Sequence, residues 1–549
     1  MAKSPKKKSE LTLEQALWNC RVELRGVGTL ETNRDAVISL VFLKFAGDKF
    51  EKRRNVLIER YGENPVFLEN VAFYNADNVF YLPQKLEGDD QWSTRWSYIV
   101  THASDNDIAV KIDRALKELE AANPPLKDTL SKNLFVVLGA SKEKLKSLID
   151  NINQISEERF QVEDLIGRTY EYFLQLYAAS GTKEDGEFYT PACVVELIAE
   201  MIEPFEGIVY DPCCGSGGMF VQSMKFVDEH KGNKKAISII GQESKPITWR
   251  LCKMNLAIRG IAHNLGKKAA STFTEDQHKD KKVDFIMANP PFNLKRWWAD
   301  ALAKDPRWSG YGTPRDSNAN YAWILHMISK LDVNHGIAGF LLANGALGDS
   351  DDHEIRKNIL MKDKVEAIIV LPRDMFYTND ISVTLWIINM NKGANEVNGR
   401  KVRDRRGEIL FVDLRTWNEN ISIIEIDKGK SKKKTIFDRN QIDRIKSIYN
   451  NWQSVDTALY EDVPELCKSV RVGKWFDETG KEGLSVEQQG WVLTPSKYID
   501  FIDHDLNIDY ATEIVRIQKE MKSVLKKEKS SQAMLIDAFR GIGYGIDKD

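Results

Sequence analysis

Four consecutive residues, Asn289, Pro290, Pro291 and Phe292, carry the most specific chemistry in the chain. They follow the apolar run VDFIMA, which reads as a strand. Two prolines cannot continue a central strand, so the chain must turn there. They remove two N–H donors and hold the backbone carbonyls stiffly outward. The side-chain oxygen of Asn289 and the carbonyl of Pro290 then form a two-acceptor site. Such a site suits an exocyclic amine, which offers two hydrogens. Phe292 is placed to stack on a planar base. Open α/β sheets bind ligands at the carboxyl ends of their strands. The plainer alternative is a strand-end turn with a structural role only.

A second group is built on glycine. The run GIVYDP reads as a strand and ends at Asp211, followed by CCGSGG and a helix from Met219. Gly215, Gly217 and Gly218 allow tight turns where a side chain would meet a ligand, with Ser216 between them. The N–H groups that open the following helix favour a carboxylate or a phosphate. Taken alone, a plain strand–helix turn explains the glycines equally well. Glu243 strengthens the ligand reading. It closes the next strand, AISIIGQE, and a carboxylate there accepts both hydroxyls of a ribose. The two features together point to an adenosine-bearing cofactor. The turn is not a P-loop, and Gly429-Lys430-Ser431 lacks the required upstream glycine. No ATPase motor is expected.

These residues need a sheet to position them. From about residue 207 short β-branched runs alternate with helical segments, adding GIAGFLLAN, VEAIIVLP and ISVTLWIINM to the strands above. Strands apolar throughout, alternating with helices, imply a parallel sheet covered on both faces. VEAIIVLP (365–372) and ISVTLWIINM (381–390) lie too close for a helical crossover, so they are expected as an antiparallel pair at the sheet edge. GEILFVDLR (407–415) reads as a further strand. The fold class is therefore α/β. It is a doubly wound, mostly parallel, Rossmann-like sheet with an antiparallel edge strand, an N-terminal helical domain and C-terminal helices.

Four segments divide the 549 residues: 1–10 as a disordered start, 11–150 as a mostly helical domain, 151–425 as the sheet domain and 426–549 as a C-terminal region. A helix is expected over 164–179. The C-terminal region opens on a lysine run, DKGKSKKK (427–434). It ends in a helix whose Ile514, Ile517, Met521 and Leu525 keep a heptad-like seam, which packs on its own domain or docks on a partner helix.

Composition sets limits. With 78 basic and 81 acidic residues the net charge is −3, against a protein that coats nucleic acid by bulk charge. A local basic groove or a basic partner is still compatible. Six sparse cysteines without CxxC spacing fit a reducing cytoplasm. No apolar run approaches the roughly 20 residues of a membrane span. The eight scattered histidines suggest no metal site.

In chain order, GEFYTP (186–191), DPCCGSGG (211–218), GQE (241–243) and NPPF (289–292) resemble the motifs of S-adenosylmethionine-dependent adenine methyltransferases of the γ arrangement. RWSGYGTPRDSNANYAWILHMI (307–328), GFLLANGAL (339–347), LPRDMFYTNDISVTLW (371–386) and LTPSKYI (493–499) narrow the resemblance to the modification subunit of type I restriction-modification systems. It covers roughly residues 11 to 500. It implies S-adenosylmethionine as cofactor and no metal. Glu187, Phe188, Tyr189, Thr190, Pro191, Ala192, Asp211, Gly215, Ser216, Gly217 and Gly218 would line its pocket, with Glu243 on the ribose. The methionine part would lie near Thr190 and Asp211. Asn289, Pro290, Pro291 and Phe292 would act on an adenine flipped out of double-stranded DNA.

The implied partners are a DNA-reading specificity subunit, a second modification subunit and, by family analogy alone, a motor-nuclease restriction subunit. The N-terminal domain and residues 505–549 are expected to make subunit contacts. One departure stands out: Ser271-Thr272-Phe273 replaces the family's usual Asp-Thr-Phe, which implies weaker cofactor binding. Three other readings use the same residues. They are a methyltransferase acting on protein glutamine, a self-sufficient DNA methyltransferase, and an inactive scaffold.

Overall fold

A computed structural model describes residues 13–155, 169, 190–376, 380–427, 430–502 and 510–541. The expected disordered start and the helix over 164–179 lie outside the described residues, apart from Thr169. The chain divides into two compact units, residues 1–499 and 500–549.

The first unit opens with helices α1 (Leu13–Glu23), α2 (Leu30–Tyr61), α3 (Ile108–Ala122) and α4 (Lys142–Asn153). Helix α2 starts in a reciprocal cap: Thr29 and Thr32 each accept the other's backbone N–H through their hydroxyls. Helix α3 stops just before Pro124 and Pro125, where the sequence periodicity breaks. Residues 50–105, which sequence patterning did not resolve, complete α2. They continue through short helices such as Trp96–Thr101 and a two-residue ladder, Gln84–Lys85 against Trp92–Ser93.

Nine strands form the central sheet. They are β1 (Gly207–Asp211), β2 (Ile237–Gly241), β3 (His263–Asn264), β4 (Phe285–Ala288), β5 (Ile337–Ala343), β6 (Val365–Val370), β7 (Val383–Asn389), β8 (Glu408–Asp413) and β9 (Cys467–Arg471), in the spatial order β9-β8-β6-β7-β5-β4-β1-β2-β3. The ladders β2–β1, β1–β4 and β4–β5 are parallel. Strand β7 runs antiparallel to both β5 and β6.

Side chains alternate between two cores, as the pleat requires. Met287, Leu341, Ile369, Leu385 and Leu410 face helices α5 (Ala192–Ile202), α6 (Gly218–Glu229), α7 (Pro246–Ile258) and, later in the chain, Arg439–Gln453. Ile286, Phe340, Ile368, Trp386 and Phe411 face α8 (Asn320–Lys330) and α9 (His353–Met361). Both faces are covered, which is why these strands read as continuous apolar runs.

Two expectations need correction. The pair β6–β7 is antiparallel, as its short connection implied, but it is not at the edge. Strand β8 adds parallel to β6 and β9 adds antiparallel to β8, so the antiparallel edge strand is Cys467–Arg471. The sheet domain also does not stop at residue 425. Helix α10 (Arg439–Gln453) packs against α5, with Arg439 and Lys446 both paired to the buried Glu200, and the chain then returns to the sheet as β9. The first unit therefore runs to Ile499. In the second unit, α11 (Tyr510–Gly541) is one helix whose Ile514, Ile517, Met521 and Leu525 are exposed. No helix among the described residues is long and apolar enough to cross a membrane.

Helix α7 joins the sheet to the N-terminal helices. Its Trp249, Cys252 and Leu256 belong to the sheet core, while Leu251, Met254, Ala257 and Ile258 enter the core of the N-terminal helices. Just past its end, Gly260 holds φ +65°, and a Cβ there would lie 2.2 Å from Asn78 Cβ. Gly260→Ala therefore combines backbone strain with overpacking. It is expected to lower unfolding stability by about 1–3 kcal/mol in urea titration.

Candidate active site

Strands β4, β1 and β2 are neighbours: the chain runs outward from β1 through β2 to β3, then crosses back to place β4 on the other side of β1. Such a switch point opens a crevice at the carboxyl ends. Asp211 closes β1, Asn289 follows β4, and Glu243 stands two residues beyond β2.

The glycine turn and Glu243 are tied together. Gly215 and Gly217 lie in the left-handed region at φ +53° and +86°. A Cβ on Gly217 would stand 2.9 Å from Cys252 Sγ of α7, so the turn needs glycine for space as well as for conformation. The Gly215 N–H donates to Glu243 Oε2 at 3.1 Å, and the Lys245 N–H donates to Glu243 Oε1 at 2.9 Å. Ser244 Oγ adds a third donor to Oε1 at 3.2 Å, and together these bonds fix the carboxylate plane.

Asp211 is buried, and its Oδ1 accepts the Cys213 N–H at 3.0 Å. Burial and the negative Glu243 push its carboxyl up to about 7. Two acids confined this way favour a ligand that brings positive charge and hydroxyl donors. A sulfonium amino acid joined to a ribose has both.

The NPPF turn supplies the opposite wall. Asn289 Nδ2 donates to Thr190 Oγ1 at 2.9 Å, which fixes the orientation of the amide. Its Oδ1 is buried and has no partner among the described residues. A buried acceptor left open is costly unless a ligand donor meets it. Pro290 is buried and Pro291 half-buried. The Phe292 ring is half-buried and stands edge-on to Phe376, centroids 6.5 Å apart.

Thr190 and Asn289 are thus brought into direct contact, as are Gly215 and Glu243. Pro191 caps α5, and Ala192 opens that helix with an exposed side chain. Glu187, Phe188 and Tyr189 lie outside the described residues. Ser271, the departure from the family pattern, is half-buried, and its hydroxyl accepts the Phe273 N–H at 3.3 Å.

Sequence reasoning missed four residues that build the site. Gln242 is fully buried, and its Nε2 donates to the carbonyls of Ala270 (3.1 Å) and Glu275 (2.7 Å). Asn255 of α7 donates to the Ser216 carbonyl at 2.8 Å. Asn320 accepts the Asn293 N–H and donates back to Asn293 Oδ1, both at 2.9 Å, which clamps the chain after Phe292. Phe376 faces Phe292. The GQE and SNANY strings flagged two of these segments, but no local pattern marked the residues themselves.

Residues 161–501 match the family model for N-6 DNA methylases, and residues 13–152 match that for the HsdM N-terminal domain. The type I restriction enzyme HindI methylase subunit of Haemophilus influenzae is 36% identical over 80% of this chain and 93% of its own length. The MjaIX methylase subunit of Methanocaldococcus jannaschii is 30% identical over 97% of this chain and 92% of its own. Among solved structures, the methyltransferase subunit of a type I restriction-modification system from Streptococcus thermophilus has a TM-score of 0.64 at 20% identity, covering 89% of this chain and 99% of that one. A chain solved in a study of type I system assembly and conformational transition has a TM-score of 0.56 at 17% identity, covering 97% and 99%. At these identities the structural likenesses establish the fold.

The raised Asp211 carboxyl has a signed consequence for stability. The folded chain holds this proton more tightly than the unfolded chain, whose carboxyl titrates near 3.8. The corresponding stability is present at low pH and is lost as pH rises from about 4 to about 7. Asp211→Asn should flatten that part of the profile, read as the difference in Tm between wild type and variant from pH 5 to 8 without donor.

Proposed function

Since the chain belongs to the N-6 DNA methylase family, among the type I restriction enzyme methylase subunits, we propose that it methylates N6 of one adenine in a DNA site chosen by a partner subunit. It is an adenine-specific DNA methyltransferase, and its methyl donor is S-adenosylmethionine. The observation that carries the finer reading is Asn289 Oδ1, buried, without a partner among the described residues and turned away from Thr190 by the amide's own hydrogen bond.

When bound, S-adenosylmethionine supplies an electrophilic methyl group on a sulfonium. Glu243 holds the ribose hydroxyls, and Asp211 offers negative charge to the methionine part. Thr190 and the turn from Gly215 to Gly218 line the same pocket, together with Pro191 and Ala192. The adenine leaves the duplex to reach the site, at an unstacking cost of a few kcal/mol. Phe292 stacks on it, and Phe376 frames the edge of that ring.

Asn289 Oδ1 and the Pro290 carbonyl accept the two amine hydrogens. Their pull turns the nitrogen toward tetrahedral geometry and exposes its lone pair. Pro291 keeps the carbonyls rigid, so the acceptors need no reorganisation during the reaction. The nitrogen becomes cationic before it loses a proton, so no strong base is required.

Division of labour among subunits follows from charge. A chain of net −3 is poorly suited to choose a DNA sequence through its bulk charge. A specificity subunit fills that role, with two modification subunits around the duplex and a motor-nuclease subunit where restriction accompanies modification. The exposed seam of α11 and the N-terminal helices are the contact surfaces assigned to these partners. The reaction belongs in the cytoplasm, where its six free cysteines stay reduced.

The test is methyl transfer to genomic DNA lacking adenine methylation, with and without the specificity subunit, with N6-methyladenine read by mass spectrometry. Transfer is expected only with the partner. Asn289→Ala should lower kcat by about 10²–10³ while donor affinity stays within a few-fold. Equal methylation by the chain alone would overturn partner-supplied specificity, and full activity in Asn289→Ala would overturn the assigned acceptor.

A further inference from the structure

The lysine run at 427–434 has no part in the chemistry above, and from Lys430 onward its backbone lies in a strand. Ile421–Asp427 pairs antiparallel with Lys430–Thr435 as a hairpin separate from the nine-stranded sheet. Its base is fastened at two points. The Thr435 N–H donates to the Asp374 carbonyl at 3.0 Å. The Lys434 ammonium, 2% exposed, donates to the Phe376 carbonyl and to Asp380 Oδ1 at 3.1 Å. Phe376 is the residue that stands edge-on to Phe292. The hairpin is therefore rooted one side chain from the ring proposed to stack on the target base.

Alternation along the strand turns the next residue the other way. Lys433 is exposed, and its cross-strand partner Ile423 is 69% exposed. Ile421, on the same face, is also exposed. Two isoleucines beside a lysine on an exposed two-stranded ribbon are a poor surface for water and a good one for the edge of a nucleic acid. Apart from the anchored Lys434, residues 421–435 hold four lysines against Glu425 and Asp427, in a chain whose net charge is −3. That local excess is complementary to phosphate. A two-stranded ribbon is also narrow enough to follow a DNA groove, and isoleucine is among the side chains that wedge against base steps.

We propose that the hairpin Ile421–Thr435 is a DNA-contacting arm, with Lys433 on backbone phosphates beside the extruded adenine and Ile423 against the adjoining groove. The proposal rests on the DNA-methylating reading and adds to it a surface that positions the duplex. Lys434 is the anchor that orients the arm.

The test uses the complex of the chain with its specificity subunit, bound to a duplex carrying its methylation site and to a scrambled duplex. Affinities are compared for wild type, Lys433→Gln and Lys433→Arg. Losing one phosphate contact makes the slope of log affinity against log salt shallower by about 0.9. Between about 50 and 200 mM salt, wild type should then lose roughly 3.5-fold more affinity than Lys433→Gln, on both duplexes alike. Lys433→Arg should restore the wild-type slope, and S-adenosylmethionine affinity should not change.

An unchanged slope in Lys433→Gln, with wild type binding DNA normally, overturns the arm while leaving the methylation reading intact. Weaker assembly with the specificity subunit at an unchanged salt slope also overturns it, and assigns the hairpin to a protein contact. A wild-type complex that neither binds nor methylates duplex DNA removes the parent reading, and the arm with it.

Discussion

Two carboxylates buried at the ends of neighbouring strands are the constraint around which the site is organised. Burial and mutual repulsion act against ionising both. The fold answers with backbone donors: Gly215 and Lys245 on Glu243, and Cys213 on Asp211. Backbone N–H groups reach those oxygens only if the chain after β1 turns at once, which requires left-handed glycines. Helix α7 behind the turn also requires a glycine there, because Cys252 Sγ would stand 2.9 Å from a Cβ on Gly217. What remains unsatisfied is the charge on Asp211, whose carboxyl is held near 7. A site left in that condition binds a cationic ligand more readily than a neutral one.

The same helix explains why the N-terminal domain is not a detachable appendage. One face of α7 supports the glycine turn, through Cys252, Leu256 and the Asn255 bond to Ser216. The opposite face lies in the core of the N-terminal helices. Lys49 and Lys253 add bonds across the seam, to the carbonyls of Ile258 and Lys127. Packed interiors transmit displacement because they are dense. A displacement of the N-terminal helices therefore reaches the element that backs the glycine turn.

Legibility in the sequence tracked how local each constraint was. NPPF and DPCCGSGG were readable because proline and glycine dictate backbone shape wherever they occur. Glu243 was readable because its strand was apolar and its position at the strand end followed. Gln242, Asn255, Asn320 and Phe376 were not, since each acquires its role from a residue brought near only by folding; Asn255 and Ser216 are 39 positions apart. The antiparallel pairing of β6 and β7 was legible from their short connection. Their interior position was not, because it depends on β8 and β9. Strand β9, CKSVR, is half polar as an exposed edge must be, and so gave no apolar run to detect.

Among the described residues, two groups of exposed apolar side chains lie on elements outside the candidate site. Helix α11 keeps Ile514, Ile517, Met521 and Leu525 in water at three- and four-residue spacing, and the hairpin at 421–435 keeps Ile421 and Ile423 there. Apolar area left in water forgoes about 25 cal/mol per Å² of stabilisation, and a single helix gains little from propensity alone. Surfaces like these are stable as parts of a larger assembly, where another chain or a duplex covers them. The central sheet, by contrast, buries both of its faces within this chain. The sheet is therefore stabilised from within this chain, while the seam of α11 and the hairpin gain stability only from what covers them.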